Sequence, residues 1–266
     1  MKSTTATALV MIAIGAVLLG VSYVMVGGDV KGFNSMNNKY IEKSYTCESE
    51  IDSITIKEQS GKVVLKSGDV EAVTVSYSDR EDESVYRISE ENGKLSVIHD
   101  EKFSFRFFNI NFTERVMTVT VPKSFKGGLD IANSSGSMHL TDITGESVAV
   151  KNTSGSIHLT NVTSGSDVTV ENTSGSISLE NVDAQGDVSV KGVSGSIKLS
   201  GLKAGGNITL KNTSGSIKGS IVGKESDYSI RAKVVSGSTN LTNSEGGSKE
   251  LNASTTSGSI KIEFIG

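Results

Sequence analysis

KNTSGSIHL, from Lys151 to Leu159, returns as ENTSGSISL from Glu171 to Leu179 and as KNTSGSIKG from Lys211 to Gly219. This phrase decides the fold. Its central triplet, Ser-Gly-Ser, is centred on Gly136, Gly155, Gly175, Gly195, Gly215, Gly237 and Gly258, at intervals of 19, 20, 20, 20, 22 and 21 residues. A near-constant period of that length marks a repeat architecture, in which a unit too small to bury its own apolar face stacks on its neighbours.

Within one unit the pattern is that of strands. Ile157 and Leu159 alternate with Ser156, His158 and Thr160, and Val168 and Val170 do the same further on. Successive side chains of a strand point to opposite faces, so each apolar pair points one way and its polar neighbours the other. Between the two runs stands a single apolar residue, Val162, with counterparts Ile143, Val182 and Leu202. A meander of hairpins would expose that residue in a loop. A closed coil with three sides turns it inward. The predicted fold is therefore all-β, a single-stranded parallel β-solenoid of about 20 residues per coil, in which equivalent residues lie over one another about 4.8 Å apart.

In that arrangement the Ser-Gly-Ser glycines are corners, because Gly reaches positive φ without steric cost and Ser, Thr and Asn hydrogen-bond a turning backbone. Asn152, Asn172 and Asn212 are expected to form a ladder of side-chain amides, interrupted at Gly192.

Outward from the repeat, residues 122–266 read as the regular solenoid and residues 51–121 as irregular first coils and a cap, with a strand ending at Pro122. KFSFRFFNINF holds five of the eight phenylalanines between Phe103 and Phe112. Phe103, Phe105 and Phe107 alternate onto one face, either as a plug closing the solenoid or as a contact patch for a partner or the bilayer. Residues 29–50 read as a linker. Residues 1–28 contain an apolar run from Ala8 to Val26 without charge, preceded by Lys2. That is long enough to cross a hydrocarbon layer as one transmembrane helix, with the amino terminus inside. It reads as a signal anchor; cleavage, which would secrete the chain, is the alternative. Either way the rest of the chain is extracytoplasmic and, with an anchor, a single-pass protein of the cell membrane.

Chemistry is sparse. The net charge is −4, with acids and bases interspersed, which argues against a nucleic-acid partner. The lone cysteine, Cys47, has no partner for an intrachain disulfide. The outward rows read His139, His158, Ser178, Lys198, Lys218; Thr141, Thr160, Glu180, Ser200; and Lys151, Glu171, Lys191, Lys211. None gathers the paired acids of a polysaccharide-cleaving solenoid. Asp167 and Asp187 sit one repeat apart in a turn, where they are expected to bond backbone amides. His139 and His158 should be neighbours on a solvated face. No catalytic, cofactor-binding or metal-ligating residue is assigned, and no cofactor is expected.

An apolar amino-terminal anchor, a VTVP strand end and recurrent SGSIxL coils together resemble the bacterial β-strand-repeat family of unknown function often labelled "putative adhesin". The resemblance spans Ile51 to the end of the chain and implies the solenoid architecture. Some relatives are linked with cell-envelope stress-response loci in Gram-positive bacteria. The expected function is a non-enzymatic, membrane-anchored binding, adhesion-like or structural module of the cell envelope. Its expected partners are the membrane through the amino-terminal helix, an envelope protein or wall polymer, and a second copy through the carboxy-terminal edge of the solenoid. The alternatives are an accessory to an envelope-stress sensing system and, more remotely, a polysaccharide-active enzyme.

Overall fold

The computed structural model describes residues 40–81, 84–100 and 115–266. In chain order the strands are β1 (Tyr40–Thr46), β2 (Ser53–Ser60), β3 (Lys62–Gly68), β4 (Thr74–Arg80), β5 (Tyr86–Glu91), β6 (Lys94–His99), β7 (Val116–Pro122), β8 (Gly128–Ser135), β9 (Met138–Gly145), β10 (Val148–Ser154), β11 (Ile157–Ser164), β12 (Val168–Ser174), β13 (Ile177–Ala184), β14 (Val188–Ser194), β15 (Ile197–Ala204), β16 (Ile208–Ser214), β17 (Ile217–Val222), β18 (Tyr228–Ser236), β19 (Lys249–Ser257) and β20 (Ile260–Ile265). They form two sheets. The first runs β1-β4-β7-β3-β9-β11-β13-β15-β17-β20, and the second β18-β19-β16-β14-β12-β10-β8-β2-β6-β5. The pairings from β10 through β17 are all parallel, and like residues face like: Leu159 lies against Leu140 and Leu179, and Val170 against Val150 and Val190. The predicted solenoid is present.

The lone apolar position is inward, as its row in the sequence requires. Ile143, Val162, Val182 and Leu202 are all 1 % exposed or less. The device that turns them inward lies one residue earlier. Simple alternation from Leu159 would bury Asn161 and expose Val162. Instead Asp142, Asn161 and Asn181 have φ between 51° and 56°, with Gly201 at 68°. One left-handed residue absorbs a step of the alternation and bends the strand into two sides. Asn, Asp and Gly are the residues that tolerate that conformation.

The amide ladder forms at this bend, where Asn161 Nδ2 donates to Asp142 Oδ1 at 2.7 Å and Asn181 Nδ2 to Asn161 Oδ1 at 3.1 Å. The row expected to carry it behaves differently. Asn152, Asn172 and Asn212 are buried and in line, but each donates to the corner glycine carbonyl of the preceding coil, Gly136, Gly155 and Gly195 respectively, at 2.6–2.9 Å. A buried amide beside a corner finds a backbone acceptor nearer than its neighbour's side chain.

The order of coils along the stack departs from their order along the chain at both ends. At one end β2–β3 is not outermost: β6 and β7 pair on its far side, before the chain returns to its inner side with β8 and β9. At the other end β19–β20 inserts against β16–β17, and β18, earlier in the chain, is displaced outward. The corner at Gly258 therefore stacks on Gly215, with Gly237 beyond it. The simple succession of seven corners holds only as far as Gly215.

β1 lies within the span 29–50, which was expected to be a linker. It pairs antiparallel with β4 along its whole length, from Tyr40 opposite Arg80 to Thr46 opposite Thr74. That part of the linker reading is corrected: the antiparallel β4 needs cover on its open edge. The apolar run Ala8–Val26 and Phe103, Phe105 and Phe107 fall outside the described residues. Among the described residues no helix is long and apolar enough to cross a membrane.

Candidate binding faces and a buried polar cluster

Each coil offers three corners and the outward sides between them. At the first corner the seven glycines have φ between 115° and 145°. The carbonyl of the corner below lies where a side chain would begin: a Cβ at Gly175 would stand 2.2 Å from the Gly155 oxygen. Two constraints therefore coincide, backbone conformation and close approach. An eighth glycine shares the row, because Gly136 stacks on Gly61 in the same way. Its sequence signal is Ser60-Gly61 followed by alternating Val63 and Leu65, the SGxI-x-L phrase with Lys62 as its third residue.

At the corner between Ser164 and Val168 the aspartates act on backbone, as expected. Asp167 accepts from the Asp187 amide at 2.8 Å, Asp187 from the Asn207 amide at 2.7 Å, and Asn207 Oδ1 from the Glu250 amide at 2.9 Å. Each side chain thus holds the next coil in register.

On the second sheet one acid sits within the outward row of lysines, which ends with Lys191 opposite Lys211. Glu171 lies between Lys151 at 3.7 Å and Lys191 at 3.0 Å. The Lys191 hydrogen bond, with both lysine charges, holds its carboxyl below the ordinary carboxylate range. On the first sheet His139 and His158 are neighbours, their rings stacked with centroids 4.8 Å apart. The His158 Nε2 atom is 3.0 Å from Ser156 Oγ. Among the described residues no group of three or more His, Cys, Asp or Glu is placed to hold a metal ion.

The irregular end contains a cluster that sequence spacing does not reveal. Glu58, buried, receives His99 Nδ1 and the Tyr86 hydroxyl, each at 2.7 Å, and the amides of Gln59 and Ser60, each at 3.0 Å. Burial alone would raise its pKa. The bond and charge of His99, the Tyr86 hydroxyl and the Ser60 amide outweigh burial and hold it below the ordinary value. Burial and the neighbouring Glu58 charge push the Tyr86 hydroxyl far up. Tyr86 stacks on His99 and meets Tyr77 edge-on, at 4.9 Å and 5.0 Å. Nearby Asp79, also buried, accepts from Ser84 Oγ, Lys43 Nζ and the amides of Arg80 and Val85 at 2.7–2.9 Å. These donors overcome burial and lower its pKa. Every carboxylate oxygen in the two groups has at least one donor, which describes a structural staple. Cys47 is buried near Glu90, and burial, with the Glu90 carboxylate, pushes its thiol up to about 12, so it is protonated and unreactive at neutral pH.

A recess of about 770 Å³ opens where residues 48–52 meet the turn after β7. Glu48, Glu50, Asp52, Glu71 and Glu146 line it with Lys126, around Ile51 and Phe125. Glu48, Glu50 and Asp52 alternate within one short segment, and Glu71 and Glu146 join them from elsewhere in the chain.

The Toastrack DUF4097 family profile matches residues 51–265. No curated protein matches the chain significantly. Three similar solved structures are a "putative cell adhesion protein" from Clostridium sporogenes (14 % identity, TM-score 0.39, covering 85 % of this chain and 100 % of that one), a "putative adhesin" from Bacteroides fragilis (17 %, 0.43, 85 % and 98 %) and a "putative lipid binding protein" from Parabacteroides distasonis (16 %, 0.39, 85 % and 98 %). With 215 of its 266 residues inside the family profile and the two-sheet stack in place, this chain belongs to the Toastrack DUF4097 family.

Proposed function

We propose that the chain is a non-enzymatic, adhesion-like binding module held outside the cytoplasmic membrane by its amino-terminal segment. The observation that carries this reading is the register of the outward rows. Identical coil positions repeat from β8 to β17, so each outward side is a flat array of one side chain per coil. Such a surface suits an extended partner that repeats along its own length. The polar groups at the corners are committed to holding coils together, and the buried carboxylates are saturated by donors. Neither set is disposed to bind and turn over a substrate.

The topology favours a particular orientation. The chain enters the stack through β1, at the outer edge of the first sheet. An anchor at Ala8–Val26 would therefore place that end nearest the membrane. The far end, at β20, would stand roughly 40 Å away at the usual strand spacing. An envelope protein or a wall polymer is the partner this display would reach.

Two measurements test the reading together. Protease added to intact cells should digest the solenoid, and purified full-length chain in neutral detergent should co-sediment with isolated envelope fragments. Protection in intact cells, with digestion only after permeabilisation, would place the module on the wrong side and defeat the proposal.

A further inference from the structure

The outward row of the first sheet reads, in stack order, His139, His158, Ser178, Lys198, Lys218 and Lys261. Three lysines therefore occupy one position on three consecutive strands, β15, β17 and β20, about 4.8 Å apart along the stack. Like charges directly opposite each other across strands are destabilising. On the second sheet Glu171 separates Lys151 from Lys191, although Lys191 then faces Lys211, and on the first sheet Lys203 meets Asp183 at 2.8 Å. Lys261 reaches Glu263 at 3.5 Å. Lys198 and Lys218 are exposed and make no ion pair among the described residues.

Beside this row runs another of a single residue type. Ser137, Ser156, Ser176, Ser196, Ser216 and Ser259 are the third residues of successive corners, each in line through the backbone bond from its coil to the next. The serine and lysine rows share a face, as the contact between His158 and Ser156 shows. On the other side Lys198 is followed by Ser200, opposite Glu180, and Lys218 by Ser220, opposite Glu263; the Ser220 hydroxyl also accepts from the Gly201 amide at 2.9 Å. The result is a strip of ammonium groups edged on both sides by hydroxyls.

We propose that this strip docks an extended, linear phosphate-bearing polymer, lying along the stack axis over Lys198 and Lys218. The inference rests on the adhesion-like reading and names the ligand chemistry of one face. Charge complementarity carries it, because the two uncompensated lysines are stabilised by an anion that the chain itself does not supply. Lysine with flanking hydroxyls suits a tetrahedral phosphate, approached from several directions as a point charge. A planar carboxylate favours the fork of arginine, which this row lacks. The strip is one side chain wide, and Glu180 and Glu263 occupy its neighbouring row. A flat anionic bilayer would press against those acids, whereas a single chain avoids them. Among the described residues the strip has no aromatic platform beyond the two histidines, which disfavours stacked nucleobases.

The test uses full-length chain in neutral detergent and fluorescently labelled linear polyphosphate, read by anisotropy. Lys198→Gln with Lys218→Gln should weaken binding about tenfold and flatten its salt dependence. Lys151→Gln with Lys211→Gln, on the other sheet and equal in charge, should change it less than about twofold. With polyphosphate absent, the first pair should melt no lower than the parent, since it relieves repulsion. Equal losses from both pairs, or tighter binding to polyglutamate or to phosphatidylglycerol vesicles than to polyphosphate, would overturn the proposal. If envelope fragments still bind while polyphosphate does not, the ligand chemistry fails and the adhesion-like reading stands.

Discussion

The repeated middle of the solenoid and its irregular amino-terminal end solve the same problem by different means. Between β8 and β17 each coil is held by its translated copy. Aliphatic rows lie over one another, backbone amides pair on both edges, and corner side chains such as Asn152, Asn172, Asp167 and Asp187 find their partners 16–20 residues away. No ionised group is buried in that part of the core. At the amino-terminal end there is no copy to lean on. β4 and β5 run antiparallel to their neighbours, and the core admits Glu58, Asp79 and His99. Translation makes a core easy to specify, because one solved unit solves its neighbours. A terminus must be specified residue by residue, and here that falls to saturated carboxylates joined across distances of up to 41 residues.

The largest expected effect lies in the middle, where the contrast is most easily broken. Gly175→Val adds a branched side chain at φ 116° and directs it at the Gly155 carbonyl. Backbone strain of about 1–3 kcal/mol combines with displacement of a packed neighbour, and the loss should reach about 3–5 kcal/mol. Ser178→Val, three residues on and facing outward, should stay within about 0.5 kcal/mol. Thermal unfolding of the two variants side by side measures the difference, and similar melting temperatures would remove the corner from the account.

The same contrast explains what could be read from sequence. In the middle, spacing along the chain equals register across the sheet, so seven glycines and one stray valine were enough for corners, sides and core. The bend at Asn161 was missed because its residues vary among Asp, Asn and Gly, although all three share the left-handed conformation. At the carboxy-terminal end spacing misleads. Gly237 comes after Gly215 at nearly the usual interval, yet Gly258 takes the place beside it. The reason lies in the apolar content of the segment after each corner. After Gly237 the chain offers only Leu241 as a large apolar side chain before the next corner's strand, whereas after Gly258 it offers Ile260, Ile262 and Phe264. An incomplete coil fits only at an end. There Asn240 imitates a strand, exchanging side-chain hydrogen bonds with both the carbonyl and the amide of Ile262 at 2.7 Å and 3.0 Å. Asn243 accepts from the Ala232 amide at 2.7 Å. These bonds cover part of the edge that would otherwise invite another chain. The Glu58 cluster had no sequence signal, since its members sit in coils without a period.

A smaller effect separates the two regions by pH. Glu58→Ala leaves the Tyr86 hydroxyl, His99 Nδ1 and two amides without their acceptor and should cost about 3 kcal/mol. In the parent chain Glu58 and Asp79 both have folded pKa values below their unfolded ones. Their stabilisation is complete above the unfolded carboxylate range and is lost as pH falls through the folded values. Acid should therefore loosen the amino-terminal end first. Hydrogen exchange resolved by segment should show β5 and β6 losing protection before β12–β14 as the pH is lowered. Simultaneous loss, or loss beginning in the middle, would mean that the ionised cluster does not hold the cap.

The smallest expected effect is a gain, and it asks whether translation alone sets the stability of the middle. Gly192 interrupts the row of buried asparagines, between Asn172 and Asn212. Its φ is not in the left-handed region, and the first atom that a Cβ would meet is Asn212 Oδ1 at 2.7 Å. That atom ends a side chain able to move, and Asn152 and Asn172 already stand on adjacent coils in the same relation. Gly192→Asn should therefore aim its amide at the Gly175 carbonyl, as Asn172 aims at Gly155 and Asn212 at Gly195. One added hydrogen bond and a less flexible unfolded chain should raise stability by about 1 kcal/mol. A rise in melting temperature would show that an interrupted row can be mended by copying its neighbours. A fall would show that Asn212 needs the space Gly192 leaves, and that the middle, too, holds a position set by its own contacts and not by repetition.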